Sequence, residues 1–435
     1  MQKPILFAIS LLFTLTAGAQ LLPKDELKAN PSLSASNYAA YQGPKKALTR
    51  APKGKKPFYI SHYGRHGSRY QINQKEYTYP LNMLQMGDAR GKLTPLGKDV
   101  LRRVAMLEAE SRDRLGELTP LGAQQHKDIA RRMYERFPEV FAGNACIEAK
   151  STVVIRCILS MENALQELLL HNPKLQISHD ASNHDMYYMN HQDRELTHAA
   201  SPPHTRSLLS DYCSRHRRWK RLVYSLFNDS AYVQSSAVNG EQLTNYLFKL
   251  ANNVQNTEIR HKMTLDDLFT DEERLENWRM ENAFWFLGYS HTPLNGGTQP
   301  FIQSELLHKI IEQADSCIRL PHPGATLRFG HETIVLPLAV LMGINGYDMR
   351  LTDLEQLEEK GWVNYRVFPM AANIQLVYYR SSPADNDVLV KVLLNEDEAT
   401  LPVETDCAPY YHWRDVREFL LKKLASYGGP TTPWP

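Results

Sequence analysis

Strand-like runs lie toward both ends of this chain and a long helical stretch separates them, which narrows the fold more than any other feature. The first apolar, β-prone run covers residues 58–62, and shorter ones return at 326–329, 374–379 and 388–393. Residues 147–158 mix β-branched side chains with charges and read as a strand running into a loop. A short strand follows at 175–178, after a helix over 160–171. From about 180 to 300 helical segments dominate, broken by polar loops rich in His, Asn and Tyr. The expectation is an α/β domain, a central mixed sheet flanked by helices, built from residues 20–179 and 301–427. A mainly α-helical insertion domain occupies 180–300, and a Gly/Pro-rich flexible tail follows at 428–435.

Two helix starts are written in nearly the same words, Leu93-Thr94-Pro95-Leu96-Gly97 and Leu118-Thr119-Pro120-Leu121-Gly122. In each, Thr supplies the N-cap and Pro the first helical residue. After the second, Ile129, Met133 and Phe137 recur at helical spacing and should face the core. The apolar run 334–341 predicts a buried helix.

Lys3, an apolar run over 5–16 and Ala17-Gly18-Ala19 read as a signal peptide over residues 1–19, which predicts export to a periplasm or the outside. The apolar run is too short to span a bilayer, so no membrane anchor is expected. Residues 20–56 lack regular periodicity and read as a solvated lead-in wrapping the surface. The five cysteines, Cys146, Cys157, Cys213, Cys317 and Cys407, form no Cys-x-x-Cys pair, which argues against a structural zinc site. An odd count leaves at least one thiol outside any intramolecular pairing. With a net charge of +2, nothing global marks a nucleic-acid binder, and any affinity for anions must come from local clustering.

That clustering occurs at strand ends. Arg65-His66-Gly67-Ser68-Arg69 directly follows the first strand and brackets one imidazole with two guanidiniums. Arginine binds phosphate through paired hydrogen bonds, and Gly67 would let the backbone approach a ligand closely. Arg156 follows the second strand, and Gly330-His331-Glu332 follows a later one. Strand-to-helix junctions on one edge of a sheet converge in space, so these elements should form one site.

Together these motifs resemble the histidine acid phosphatases (histidine phosphatase clade 2). Arg65-His66-Gly67-Ser68-Arg69 matches the first motif of that family, and Ser151-Thr152 with Arg156 and Ser160 resembles a second. Phe329-Gly330-His331-Glu332-Thr333, followed by Leu336-Pro337-Leu338, looks most like the multiple inositol polyphosphate phosphatase and phytase group. The likeness runs from about residue 55 to 420. It departs at one point: many relatives carry His-Asp and the inositol polyphosphate group His-Ala-Glu. Here Glu332 takes the Asp position, while Thr333 stands where the second pattern puts its Glu.

The resemblance implies phosphomonoester hydrolysis with His66 as nucleophile and Glu332 as proton donor, Asp185 being the weaker candidate for that acid. Arg65, Arg69, Arg156 and His331 would hold the phosphate. No metal and no cofactor is called for, because guanidiniums supply the positive charge. His179, His184, His191, His198 and His204 have no ligand spacing on a helix and read as a polar loop. The expected partners are small phosphate esters, inositol polyphosphates first, with no nucleic acid. Arg215-His216-Arg217-Arg218-Trp219-Lys220-Arg221 reads as a solvated basic helix. The competing readings are a broad-specificity acid phosphatase, a phosphoglycerate mutase-like enzyme, a phosphate-ligand binding protein without catalysis, and a metallohydrolase.

Overall fold

The computed structural model describes residues 21–190, 196 and 203–427. The expected signal peptide and C-terminal tail, with His191 and His198, lie outside the described residues. Eight strands form one sheet: β1 (Lys56–Arg65), β2 (Cys146–Ser151), β3 (Gln176–Asp180), β4 (Gly324–Gly330), β5 (Asn373–Arg380), β6 (Leu389–Leu394), β7 (Asp397–Glu398) and β8 (Tyr410–His412). Their order is β3-β2-β4-β1-β5-β6-β7, with β8 also paired to β6. Strands β3, β2, β4 and β1 are parallel, and β5 to β8 continue the sheet antiparallel. The sheet is therefore mixed, as expected.

Alternation along the strands builds two cores. Tyr59 and Tyr63 of β1, with Ile374, Leu376 and Tyr378 of β5, face helices that include Glu332–Leu341 and Trp413–Ala425. Ile60, Val377 and Tyr379 face the opposite way, toward the helices Pro120–Arg136 and Ile155–His171. As expected, Ile129, Met133 and Phe137 are buried, the last two in this second core. A third core is purely helical and joins Leu84, Val100 and Leu107 to Leu226, Leu243 and Phe269. The helical layer thus draws on residues 75–111 as well as on the stretch beyond 180.

Both Thr-Pro-Leu-Gly signals open helices as read, with Thr94 Oγ1 accepting from Gly97 N at 3.0 Å and Thr119 Oγ1 from Gly122 N at 3.2 Å. The backbone N–H of each Thr also donates to a neighbouring segment, Thr94 to Leu226 O and Thr119 to Ser68 O, both at 2.9 Å. One sequence signal therefore serves twice to dock a helix start against another turn. Two expectations need correction. The helix expected from 160 begins at Ile155, because Val153-Val154-Ile155 is β-branched yet serves as a helix entry. The basic run 215–221 is not one helix: it spans the end of Pro203–His216 and the start of Lys220–Leu226. All five cysteines are unpaired.

Candidate active site

Parallel register brings the three sequence elements together. Arg65 at the end of β1 pairs with Gly330 at the end of β4, and Ser151 at the end of β2 pairs with Phe329. Beyond that edge lie Arg65 to Arg69, Thr152 to Arg156, and His331-Glu332. The chain leaves β1 for β2 on one side and passes from β4 to β5 on the other, so the site sits in the crevice where strand order reverses. Two helices, Ile155–His171 and Glu332–Leu341, also begin here, and their N-termini favour negative charge.

His66 is fixed from both sides. Its backbone N–H donates to Gly330 O at 2.9 Å, and its carbonyl accepts from Ala371 N at 3.0 Å. Nδ1 lies 2.9 Å from Gly67 O. A carbonyl can only accept, so Nδ1 carries the proton and Nε2 keeps its lone pair. Nε2 is buried, has no hydrogen-bond partner and stands 3.7 Å from Glu332 Oε2. Burial, then Arg65, Arg156, Arg69 and His331, hold the imidazole well below the usual histidine pKa. These influences favour the neutral ring, whose free Nε2 lone pair can act as a nucleophile.

The loop after His66 is held by close packing against a helix start. A Cβ on Gly67 would lie 2.3 Å from Gly122 O, and one on Gly122 would lie 2.3 Å from Ser68 O. The expectation that Gly67 admits a ligand is therefore corrected: its missing side chain admits the Pro120–Arg136 helix. Ser160 Oγ receives Gly67 N at 3.1 Å, Gln125 Oε1 receives Ser68 N at 2.9 Å, and Ser68 Oγ donates to Asn256 Oδ1 at 2.7 Å.

The guanidiniums are anchored yet incompletely satisfied. Arg65 Nη1 donates to the carbonyls of Asn37 and Phe368, while Nε stands 3.0 Å from Glu332 Oε2. Arg69 Nη1 donates to Tyr38 Oη at 3.1 Å, and its guanidinium lies over the Tyr38 ring. Arg65 Nη2, Arg69 Nε and Arg156 Nε are buried without a hydrogen-bond partner. An unsatisfied buried donor costs about 1–3 kcal/mol. Several around one lone pair make a site shaped for a multiply accepting anion.

His331 lies edge-on to His66 with ring centroids 5.7 Å apart, and its Nε2 is 3.2 Å from Thr152 Oγ1. Burial, opposed by Glu332 and reinforced by the arginines, takes its pKa down to about 4. Burial alone would raise the Glu332 carboxyl, but Arg65, Arg69 and His331 overcome it and pull the pKa down to about 2. Asp185 is instead tied to Lys150 at 2.9 Å. Donor atoms of His66, His331 and Glu332 lie within 4.8 Å of one another. Three guanidiniums beside them make that trio a poor seat for a dication.

All six residues expected at the site meet there. Two more were missed, Asn37 and Tyr38, whose segment was read as a solvated lead-in. It is instead structured, with a helix at Pro23–Ala29 and a 3₁₀ turn at Pro31–Tyr38. Asn37 Nδ2 donates to Glu332 Oε1 at 3.2 Å. No sequence signal marked them, because neither periodicity nor a motif connects this stretch to residue 332. The basic run holds no free cluster: Arg215, His216, Arg217, Arg218 and Arg221 each meet a carboxylate, from Glu355, Glu276, Glu241, Glu276 and Glu273 respectively. His179 engages Glu162, while His184 and His204 are exposed.

A buried histidine ringed by arginines at the carboxyl edge of a mixed sheet points to the class, and residues 64–395 match it: the chain belongs to the histidine phosphatase superfamily (branch 2). Over 420 residues it is 22% identical to multiple inositol polyphosphate phosphatase 1 of Gallus gallus, spanning 88% of this chain and 87% of that protein. The fold resembles multiple inositol polyphosphate phosphatase of Bifidobacterium longum in its phosphate complex, with TM-score 0.76 and 18% identity over 90% of this chain and 98% of that one. It also resembles the phytase of D. castellii, with TM-score 0.66 and 14% identity over 92% of this chain and 86% of that one.

Proposed function

We propose that the protein hydrolyses phosphate monoesters of inositol polyphosphates through a phosphohistidine on His66. The observation that carries this reading is the His66 Nε2 lone pair, buried and unpartnered among three guanidiniums. Nε2 attacks phosphorus, the P–N bond forms and the ester P–O bond breaks. Arg65, Arg69, Arg156 and His331 hold the phosphoryl oxygens as charge redistributes. Glu332 gives its proton to the leaving alkoxide, then takes one from the water that breaks the P–N bond and frees phosphate. A substrate phosphate replaces Glu332 on Arg65, and its negative charge raises the carboxyl pKa so that the acid is protonated when needed.

The substrate class follows the relatives named above. The N-terminal segment proposes export to a periplasm or the outside, and the helical stretch 180–300 proposes one wall of the cleft. The test is phosphate release from inositol hexakisphosphate in EDTA, comparing wild type with His66→Ala. Wild type should turn over and the variant should not. Wild-type turnover by the variant would reject the mechanism. Glu332→Gln should slow alkyl phosphates far more than p-nitrophenyl phosphate, whose leaving group needs no proton, and equal losses would remove Glu332 as the acid.

A further inference from the structure

We infer that Asn37 is a positioning residue for the general acid: it decides which oxygen of Glu332 carries the transferable proton. The inference rests on the reading of Glu332 as that acid. Asn37 Nδ2 donates to Glu332 Oε1, whereas Oε2 is the oxygen near Arg65 Nε and His66 Nε2. An oxygen that accepts an N–H from an amide is disfavoured as a hydroxyl, because its own hydrogen would meet the donor. Once a substrate phosphate has drawn Arg65 Nε away from Oε2, the amide on Oε1 is the contact that remains, and a proton taken up by Glu332 is directed to Oε2, on the side where the scissile phosphorus and its leaving oxygen must lie. Without the amide, the proton could occupy either oxygen and the carboxyl could turn.

The segment carrying Asn37 is built to hold it there. Ser36, immediately before it, has φ 56 and ψ −120, a left-handed backbone that a non-glycine residue adopts only when its surroundings enforce it. Those surroundings are present. Asn364 Nδ2 donates to Ser36 Oγ at 2.7 Å, Asn256 Nδ2 to Tyr38 O at 2.8 Å, and Met370 N to Ala39 O at 2.8 Å. Gln255 bridges the same segment, receiving Ala40 N and donating to Ser32 O. The strap is thus tied both to the helical layer and to the loop before β5. Arg65 is held by the main-chain carbonyl of Asn37, so changing the side chain removes the amide contact and spares that one.

The experiment measures kcat on glycerol 2-phosphate, an alkyl ester, and on p-nitrophenyl phosphate for wild type, Asn37→Ala, Glu332→Gln and the double variant. Asn37→Ala should lose about tenfold or more on the alkyl ester, the scale of one hydrogen bond to a charged group, and under about threefold on the aryl ester. In the Glu332→Gln background it should cost nothing further on either. Equal losses on both esters, or none, would overturn the inference, since a merely structural strap has no leaving-group dependence. If Glu332→Gln itself shows no such selectivity, the acid assignment fails first and the inference with it. Should Asn37→Ala not fold, Asn37→Ser is read by the same ratio, because its hydroxyl is too short to reach Oε1.

Discussion

A carboxyl with a pKa of about 2 cannot serve as an acid unless substrate changes it. At pH 5 roughly one such group in a thousand is protonated, which adds about 4 kcal/mol to a barrier that needs its proton. Arrival of an anion removes this handicap. The Glu332 carboxylate lies 3.0 Å from Arg65 Nε, where a phosphoryl oxygen would take its place. One negative charge about 4 Å from the carboxylate, at an effective dielectric near 20, is worth about 4 kcal/mol. That is roughly 3 in pKa, enough for one negative charge to lift Glu332 from about 2 to about 5. Binding of a non-titrating anion at pH 5.5 should therefore take up a proton. The assay is calorimetric titration with inositol hexasulfate in two buffers of different ionisation enthalpy. His66 and His331 also gain protons near an anion, so the informative quantity is wild type minus Glu332→Gln. A difference of about a quarter of a proton is expected. Equal uptake by both proteins would refute the reasoning, because Glu332 would then stay ionised beside the bound anion.

Other consequences follow from the same geometry. Burial, then His126 and Arg328, depress His62 to about 3, and burial depresses His126 to about 4. Both stay neutral in the folded protein while the unfolded chain takes up protons below about 6.5, so stability falls as pH drops from 7 to 5 by about 2 kcal/mol for each. Urea unfolding at the two pH values measures this, and His126→Phe should flatten the dependence. Gly122→Ala places a Cβ 2.3 Å from Ser68 O, which should cost about 1–3 kcal/mol and displace the His66 loop. Its melting temperature and kcat should fall together. Activity should survive EDTA, since arginines supply the charge; loss restored by one divalent metal would contradict that.

Much of the site was legible because its residues sit at strand ends, where chain direction and register fix their convergence. Arg65, His66 and His331 could be placed from the strand runs alone. Glu332 could be placed too, as the first residue of an apolar helix. What stayed hidden had physical reasons. Asn37 and Tyr38 reach the site through tertiary hydrogen bonds from a 3₁₀ turn, which leaves no periodic trace. Val153-Val154-Ile155 favours a strand locally, yet docking of the following helix against the sheet overrides that preference. Strands β7 and β8 span two and three residues, too short for alternation to be seen. Gly67 was read as room for a ligand, although its neighbour is the equally bare Gly122.

The proposed mechanism depends above all on an intermediate with phosphorus bonded to His66 Nε2. Acid-labile, alkali-stable label should appear on the protein within one turnover when enzyme and ³²P-labelled inositol hexakisphosphate are mixed and quenched in base. Peptide mapping should place it on His66, and His66→Ala should carry none. Full turnover with no label on wild type under rapid quench, or label on another residue, would contradict a covalent histidine mechanism.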